Sequence, residues 1–291
     1  MNTLQQDIDS LARFLVDHPR LVVLTGAGIS EASGIPTYRD QHGAWQHSNP
    51  IQQQAFLRDV LARRRYWARS RYGWPVIRDA SPNPAHHALA QLEARGHIEL
   101  LITQNVDRLH QRAGSRNVLD LHGRIDRVHC LTCGAKHCRD SVQELLDSDN
   151  EWPHIAEPGA RPDGDMELAD SLPHQLVLPI CPLCGGDLKP DVVFFGGTVP
   201  TARVNNCLAA LDRAHGLLVI GSSLMVFSGF RFCRHASRRG LPVAIVNPGI
   251  TRADALAQLK LSSLAAPLLT GALGRLGGGL NPAASAPCNP S

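Results

Sequence analysis

Four short apolar runs constrain this chain more than anything else in it: residues 21–25, 98–103, 217–220 and 243–246. Each is strand-length and, Glu99 and the closing threonines aside, apolar on successive residues rather than alternate ones, the pattern of a strand buried on both faces. Helix-length segments separate them. Leu4, Ile8, Leu11 and Leu15 recur at helical spacing before the first run, and that helix is expected to end near Pro19. Asn83-Pro84 reads as the N-cap and first turn of another helix, with Gly96 at its far end. Residues 201–214 and a segment ending at Gly240 read as two more. This alternation argues for an α/β protein built on a doubly wound parallel sheet with helices on both faces. Residues 118–121 are a shorter strand candidate. Two stretches break the rhythm and read as insertions: 46–79, helical and rich in arginine and aromatics, and 129–189, which carries two cysteine pairs. Residues 276–291 are rich in Gly, Pro and Ala and read as a loose tail.

A chain of 291 residues, 43% hydrophobic and 19% charged, can bury a sizeable core and is not disordered. Its formal charge of +3 is too mild to mark nucleic acid or a membrane as partner. The run Arg63, Arg64, Arg65 reads as a solvated helix face. No apolar run is long enough to cross a membrane. The N-terminal MNTLQQDID lacks the cationic-then-apolar order of a signal peptide. The expected location is therefore the cytoplasm, where thiols stay reduced. Eight cysteines in that setting point to metal or to buried thiols. Cys138, Cys207, Cys233 and Cys288 have no paired spacing and read as structural or incidental.

Four motifs carry chemistry. Gly26-Ala27-Gly28 follows the first strand. Glycines there let backbone N–H groups approach a pyrophosphate at a helix N-terminus, although Glu31 stands where a full G-x-G-x-x-G would have its third glycine. A plain tight turn explains the two glycines equally well. Cys130-x-x-Cys133 and Cys181-x-x-Cys184, each followed by glycine, suit one tetrahedral zinc. Four thiolates would leave that metal no open position, which makes it structural. The competing reading is two unrelated thiol pairs. Thr103-Gln104-Asn105-Val106-Asp107 stands at the C-terminal end of a strand, where ligands of such sheets bind. A capped strand end is the plainer alternative. Leu121-His122-Gly123 also follows a strand, and an imidazole there can accept a proton at neutral pH.

Taken in order, GAGIS (26–30), SGIPTYR (33–39), TQNVDRLH (103–110), LHG (121–123), the four cysteines, FFGG (194–197), GSSL (221–224) and Val246-Asn247 resemble the sirtuin family. The resemblance runs from about Ala12 to about Ala266. PIQQQAF (50–56), RYWAR (65–69), GWP and PNPAH look most like its class II branch of mitochondrial sirtuin four and bacterial relatives. It implies an NAD-dependent protein-lysine deacylase with a Rossmann-like NAD-binding part, a small inserted zinc-ribbon domain and a helical module, all within residues 1–275.

By the same resemblance, Gly26, Ala27, Gly28, Tyr38 and Arg39 line the dinucleotide. Gln104 and Asn105 sit near the nicotinamide ribose, with Asn105 counted as catalytic, and Asp107 holds the nicotinamide carboxamide. Gly221, Ser222, Ser223 and Asn247 contact the adenosine half, and the backbone at Ala265 closes the adenine pocket. Cys130, Cys133, Cys181 and Cys184 hold one structural zinc. Phe194 and Gly196 lie along the substrate peptide, which adds as a strand. The implied reaction begins with attack of the acyl oxygen on the ribose as nicotinamide leaves. His122, the catalytic base, then takes a ribose hydroxyl proton. Free lysine, nicotinamide and O-acyl-ADP-ribose result. NAD is thus a consumed co-substrate, and acylated lysine in proteins is the partner.

Two positions depart from the family pattern: Thr37, where most members carry Asp, and Gly197, where an acidic residue follows FFG. Tyr66 and Arg69 match a Tyr-x-x-Arg pair that reads acidic acyl groups in another branch; packing in the helical module is the alternative. Mono-ADP-ribosyl transfer to protein would use the same NAD site. A nucleic-acid-binding zinc module is opposed by the acidity of the insertion, which holds Asp140, Glu144, Asp147, Asp149, Glu151, Glu157, Asp163, Asp165, Glu167 and Asp170. An ordinary NAD dehydrogenase would need the missing third glycine.

Overall fold

The structure, a computed structural model, describes residues 3–40, 42, 44, 46, 50–153, 162, 164 and 176–277. Its elements in chain order are α1 (Thr3–Asp17), β1 (Leu21–Thr25), α2 (Gln53–Arg58), α3 (Val60–Asp79), α4 (Pro84–Ala94), β2 (Ile98–Thr103), α5 (Leu109–Arg112), β3 (Val118–Asp120), β4 (Gly123–Cys130), β5 (Lys136–Cys138), α6 (Arg139–Asp149), β6 (Leu188–Val192), α7 (Thr201–Arg213), β7 (Gly216–Ile220), α8 (Phe227–Arg238), β8 (Val243–Val246), β9 (Leu259–Leu261) and α9 (Ala265–Gly277).

Six strands pair in the order β3-β2-β1-β7-β8-β9, every pair parallel. The first half of the chain builds outward one way from β1, and the second half builds the other way from β7. The order therefore reverses between β1 and β7, where a crevice opens beyond the strand C-termini. The continuous apolarity of β1 is explained by its two faces. Leu21 and Val23 join one core, against α1, α4 and α9; Val22 and Leu24 join the other, against α7 and α8.

Helix α9, which packs on α1 and α4, and the edge strand β9 have no counterpart among the elements expected from the sequence. Pro267, Gly271 and Gly274 break the helical pattern there. Gly271 has a packing reason: a Cβ on it would overlap the Ile8 side chain, so its absence lets α9 close on α1. Residues 276 and 277 end this helix; the remainder of the expected tail, 278–291, lies outside the described residues. So do Glu157, Asp163, Asp165, Glu167 and Asp170 of the acidic insertion.

The two insertions share one core. β5, β4 and β6 form an antiparallel sheet. Phe56, Tyr66 and Trp67 from the helical side pack with Val128, Val142, Leu146 and Leu188 from the cysteine side. Polar ties cross the same seam. Trp74 Nε1 donates to Asp140 Oδ1 at 2.7 Å, and the buried Arg139 guanidinium lies over the rings of Trp67 and Trp74. Arg63 departs from the solvated-face reading: only 14% of its side chain is exposed, and it meets Asp187 at 3.3 Å. Of the unpaired cysteines, Cys207 and Cys233 are core residues whose burial pushes each thiol up to about 12. Cys138 is exposed, and Cys288 lies outside the described residues.

Behind β1 sit two buried histidines. His86 completes a capping box on α4, its Nδ1 accepting the Asn83 N–H at 3.3 Å. Burial pulls its pKa down to about 4. His110, whose Nε2 lies 2.9 Å from Thr25 Oγ1, is depressed by burial well below the usual value. In the unfolded chain a histidine titrates near 6.5, so from there down to about 4 the unfolded state binds the proton and the folded state does not. Stability is therefore expected to fall as pH drops from 7 toward 4, by up to about 3 kcal/mol for His86. Urea unfolding midpoints across this range test the expectation; a flat midpoint would contradict it.

Candidate active site

β1 runs into Gly26-Ala27-Gly28, and this turn is stitched to the end of β7. Gly26 N–H donates to Ile220 O at 3.1 Å and Gly28 N–H to Gly221 O at 2.9 Å. The approach is too close for side chains. A Cβ on Gly26 would stand 2.8 Å from the Ser222 Cβ, and one on Gly28 would stand 3.0 Å from the Gly221 Cα. Gly221 itself has φ +60, and a Cβ there would overlap the Ile29 nitrogen. Gly221→Ala is thus expected to cost ~2 kcal/mol or more through the left-handed backbone and the clash. Thermal unfolding of the variant measures it.

The expected helix N-terminus behind these glycines is not there. Residues Ala27–Ile29 and Glu31–Ser33 form two single 3-10 turns. Gly34, at φ +82, ends the second, and Pro36 follows. A phosphate here would meet turn N–H groups rather than an α-helix dipole.

A cavity of about 690 Å³ opens from this crevice toward the 194–197 segment. Of the residues named from the sequence, Gly26, Ala27, Gly28, Tyr38 and Arg39 line one wall. Gln104, Asn105 and His122 line its floor, with Phe194 and Gly196 opposite. Gly221, Ser222, Ser223, Asn247 and Ala265 line it as well, Ser222 lying against both Gly26 and Gln104. Three do not reach it. Tyr66 is 4% exposed and packs edge-on to Phe56 and Phe194, and Arg69, half-buried on the same helix, is likewise outside the lining. Asp107 is buried outside the lining. Its carboxylate accepts from Ser30 Oγ at 2.7 Å and from Leu109 N–H at 2.9 Å. Burial raises its pKa against those hydrogen bonds.

The floor is tightly fixed. Gln104 Nε2 donates to Ser222 Oγ at 2.8 Å and to Thr25 O at 3.2 Å. Asn105 Nδ2 donates to Gly26 O at 3.2 Å and to Ser30 Oγ at 3.0 Å. Asp107 therefore holds Ser30, and Ser30 holds Asn105. His122 Nδ1 lies 3.0 Å from Gln104 O, and Nε2 lies 2.8 Å from Ser228 Oγ. Burial, reinforced by the cations Arg203 and Arg231, pulls the imidazole pKa down to about 4 against the Gln104 carbonyl, so the ring is neutral at pH 7 and carries a lone pair. Gly123, at φ +87, follows because a Cβ would overlap the Asp191 carbonyl of β6.

His122 O in turn accepts from Val193 N–H at 2.7 Å, tying His122 to the chain that continues from β6 into Phe194–Gly197. That strand is braced from the helical insertion, where Gln53 N–H donates to Phe195 O at 2.8 Å. Gly197 suits a tight turn: its N–H donates to Phe194 O at 2.9 Å, and a Cβ would crowd that same oxygen. Thr37 lines the cavity and links two loop residues, donating to Arg39 O and accepting from Gln46 Nε2. Ser228 and Arg231 also line the cavity. Neither belongs to a sequence motif: GSSL ends at Leu224, and both lie beyond it in the first turns of the next helix, at the same sheet edge.

The four cysteine sulfurs lie within 4.8 Å of one another. Cys130 and Cys184 are 3.5 Å apart and Cys133 and Cys181 3.8 Å, against roughly 3.8 Å between sulfurs of a tetrahedral zinc with 2.3 Å bonds. Both knuckles have the same build. Gly134 N–H donates to Cys130 O and Gly185 N–H to Cys181 O, and both glycines have φ +73. Backbone N–H groups of Cys133 and Thr132 at the Cys130 sulfur bring that thiol down to about 6. The set fits zinc. The glycine cradle and the cavity likewise fit a dinucleotide.

Known proteins share this arrangement. The Sir2 family pattern matches residues 26–228. The NAD-dependent protein deacetylase of Xanthomonas axonopodis pv. citri (strain 306) is 52% identical over 263 residues, 90% of each chain. The NAD-dependent protein deacylase Sirt4 of Drosophila melanogaster is 46% identical over 262 residues, 89% of this chain and 84% of that one. The solved structure "Sir2-p53 peptide-NAD+" superposes with a TM-score of 0.76 at 30% identity, covering 93% of this chain and 98% of its own. Likeness of this extent, running through the sheet and both insertions, means that the chain belongs to the Sir2 family.

Proposed function

We propose that the protein is an NAD-dependent protein-lysine deacetylase or deacylase that consumes NAD and uses one structural zinc. The observation that carries this reading is the convergence of a neutral His122 and an anchored Asn105 on one cavity floor, beside the glycine cradle. When bound, the dinucleotide supplies an electrophilic ribose carbon and nicotinamide as leaving group. The chain's own residues do the rest. Gly26, Gly28 and Gly221 let backbone come close to phosphate. Asn105, with its amide hydrogens directed at Gly26 O and Ser30 Oγ, leaves its carbonyl to accept from a ligand hydroxyl. Asp107 holds that arrangement through Ser30. His122 accepts the hydroxyl proton that makes a sugar oxygen nucleophilic. Phe194 and Gly196 offer the edge along which an acyl-lysine peptide lies.

Zinc would be held by Cys130, Cys133, Cys181 and Cys184, and there it would brace the knuckles that β4 and β6 connect to His122 and Phe194. Thiols arranged as metal ligands favour a reducing setting such as the cytoplasm. No described helix is long and apolar enough to cross a membrane. Transfer of ADP-ribose to protein is not favoured. Incubation with NAD and an acetylated peptide tests the reading: nicotinamide and unmodified lysine are expected in equal amounts. ADP-ribosylated peptide with its acetyl group intact would overturn it.

A further inference from the structure

Beyond Leu224 the chain returns to the cleft at the first turn of α8. There Ser228 Oγ lies 2.8 Å from His122 Nε2, while His122 Nδ1 lies 3.0 Å from the Gln104 carbonyl oxygen. A carbonyl can only accept, so Nδ1 carries the ring proton and Nε2 presents its lone pair. Ser228 therefore donates to Nε2. The contact is built into the packing. Gly229, next in the helix, abuts the Gln104 side chain, and a Cβ on it would stand 2.6 Å from Gln104 Oε1. Glycine is what allows this turn to close on the floor.

Two consequences follow for proton transfer. The single in-plane lone pair of Nε2 is already taken, so a substrate hydroxyl reaches the base through Ser228. In addition, Arg203 on α7 and Arg231 on α8 oppose a cation on the ring, and the Gln104 carbonyl at Nδ1 favours one only in part. A serine hydroxyl between sugar and base keeps the ring seated while the proton moves.

We infer that Ser228 is a proton relay between a hydroxyl of the bound sugar and His122. This rests on the deacylase reading of the cleft. In the step, the sugar O–H bond breaks and its proton joins Ser228 Oγ as the serine's own proton passes to His122 Nε2. One O–H forms where one is lost on serine, and one N–H forms on the ring. Serine ends neutral, His122 carries the positive charge and the sugar oxygen the negative charge that makes it a nucleophile. The reverse path returns the proton.

The test uses Ser228→Ala and Ser228→Thr in the full chain. The alanine variant is expected to turn over acetylated peptide about 10- to 100-fold more slowly, with exchange of labelled nicotinamide into NAD retained. Threonine keeps the hydroxyl and is expected to restore most of the rate. Turnover in mixed light and heavy water should bow with deuterium fraction in the wild type, since two protons move together, and should straighten in the alanine variant. A readout without NAD accompanies these. His122, assigned in nitrogen-15 spectra by difference from His122→Ala, should titrate about half a unit or more higher once a donor to its neutral form is lost. An alanine variant as fast as an active wild type would overturn the relay alone. So would a slow variant with unchanged His122 titration and an unchanged bow. A wild type that releases no nicotinamide from NAD would sink the reading of the cleft, and the relay with it.

Discussion

His122→Ala is expected to lower turnover of an acetylated peptide by roughly 10²- to 10⁴-fold, the usual worth of a placed general base. The fold should survive. His122 contributes one hydrogen bond to a backbone carbonyl and one to Ser228, and the chain around it is held by Val193 N–H on the His122 carbonyl, which any residue supplies. Nicotinamide release should suffer less than formation of free lysine, because the imidazole acts after the first bond breaks. The pH profile gives an independent check. A base whose pKa burial has lowered to about 4 stays unprotonated above that value, so kcat/KM should be level from pH 8 to 6 and decline only toward 4. An ordinary histidine would lose activity through 6.5. Steady-state rates of both products, with circular dichroism to show intact folding, decide the matter. A variant with wild-type deacylation removes His122 from its role.

Removal of zinc is expected to have the largest effect on stability. Structural zinc contributes about 10–16 kcal/mol of binding free energy in isolated finger peptides. Here the knuckles are also backed by a shared apolar core, so the loss should be smaller: some 5 kcal/mol, or roughly 10 °C or more in Tm for a domain of this size. Cys133→Ser, at an exposed ligand, should reproduce most of this without emptying a core position. Activity should fall in parallel, since β4 begins beside His122 and β6 leads into Phe194. Metal analysis is expected to find one zinc per chain. Chelation that empties the site yet leaves Tm unchanged would show that the metal does not hold the fold.

The contrast between Asp107 and Ser228 shows how far such a site can be read before folding is known. Both lie at the C-terminal edge of the sheet. Asp107 sits inside a motif next to Gln104 and Asn105, which made it conspicuous, yet its carboxylate faces Ser30 and Leu109 behind the lining. Ser228 sits in an undistinguished stretch four residues past a motif, yet it touches the base. Spacing along the chain indicates which residues gather at an edge; it does not fix which way each side chain turns. Tyr66 makes the same point, since its motif neighbours suggested a substrate contact and its burial makes it core.

Several features needed only the sequence. Unbroken apolar runs demand a strand covered on both faces, whatever the order of strands. Two Cys-x-x-Cys-Gly knuckles point to a common metal, and the fold brings the four sulfurs within 4.8 Å of one another. Glycines after β1 allow either a tight turn or a close approach. What came close, how the strands were ordered, and where the hidden helix α9 packed were decided only by tertiary contacts. Gly221 against Ile29, Gly229 against Gln104 and Gly271 against Ile8 are each separated by many residues along the chain. Steric fit between distant segments is a property of three-dimensional neighbours, and local pattern carries no record of who those neighbours are.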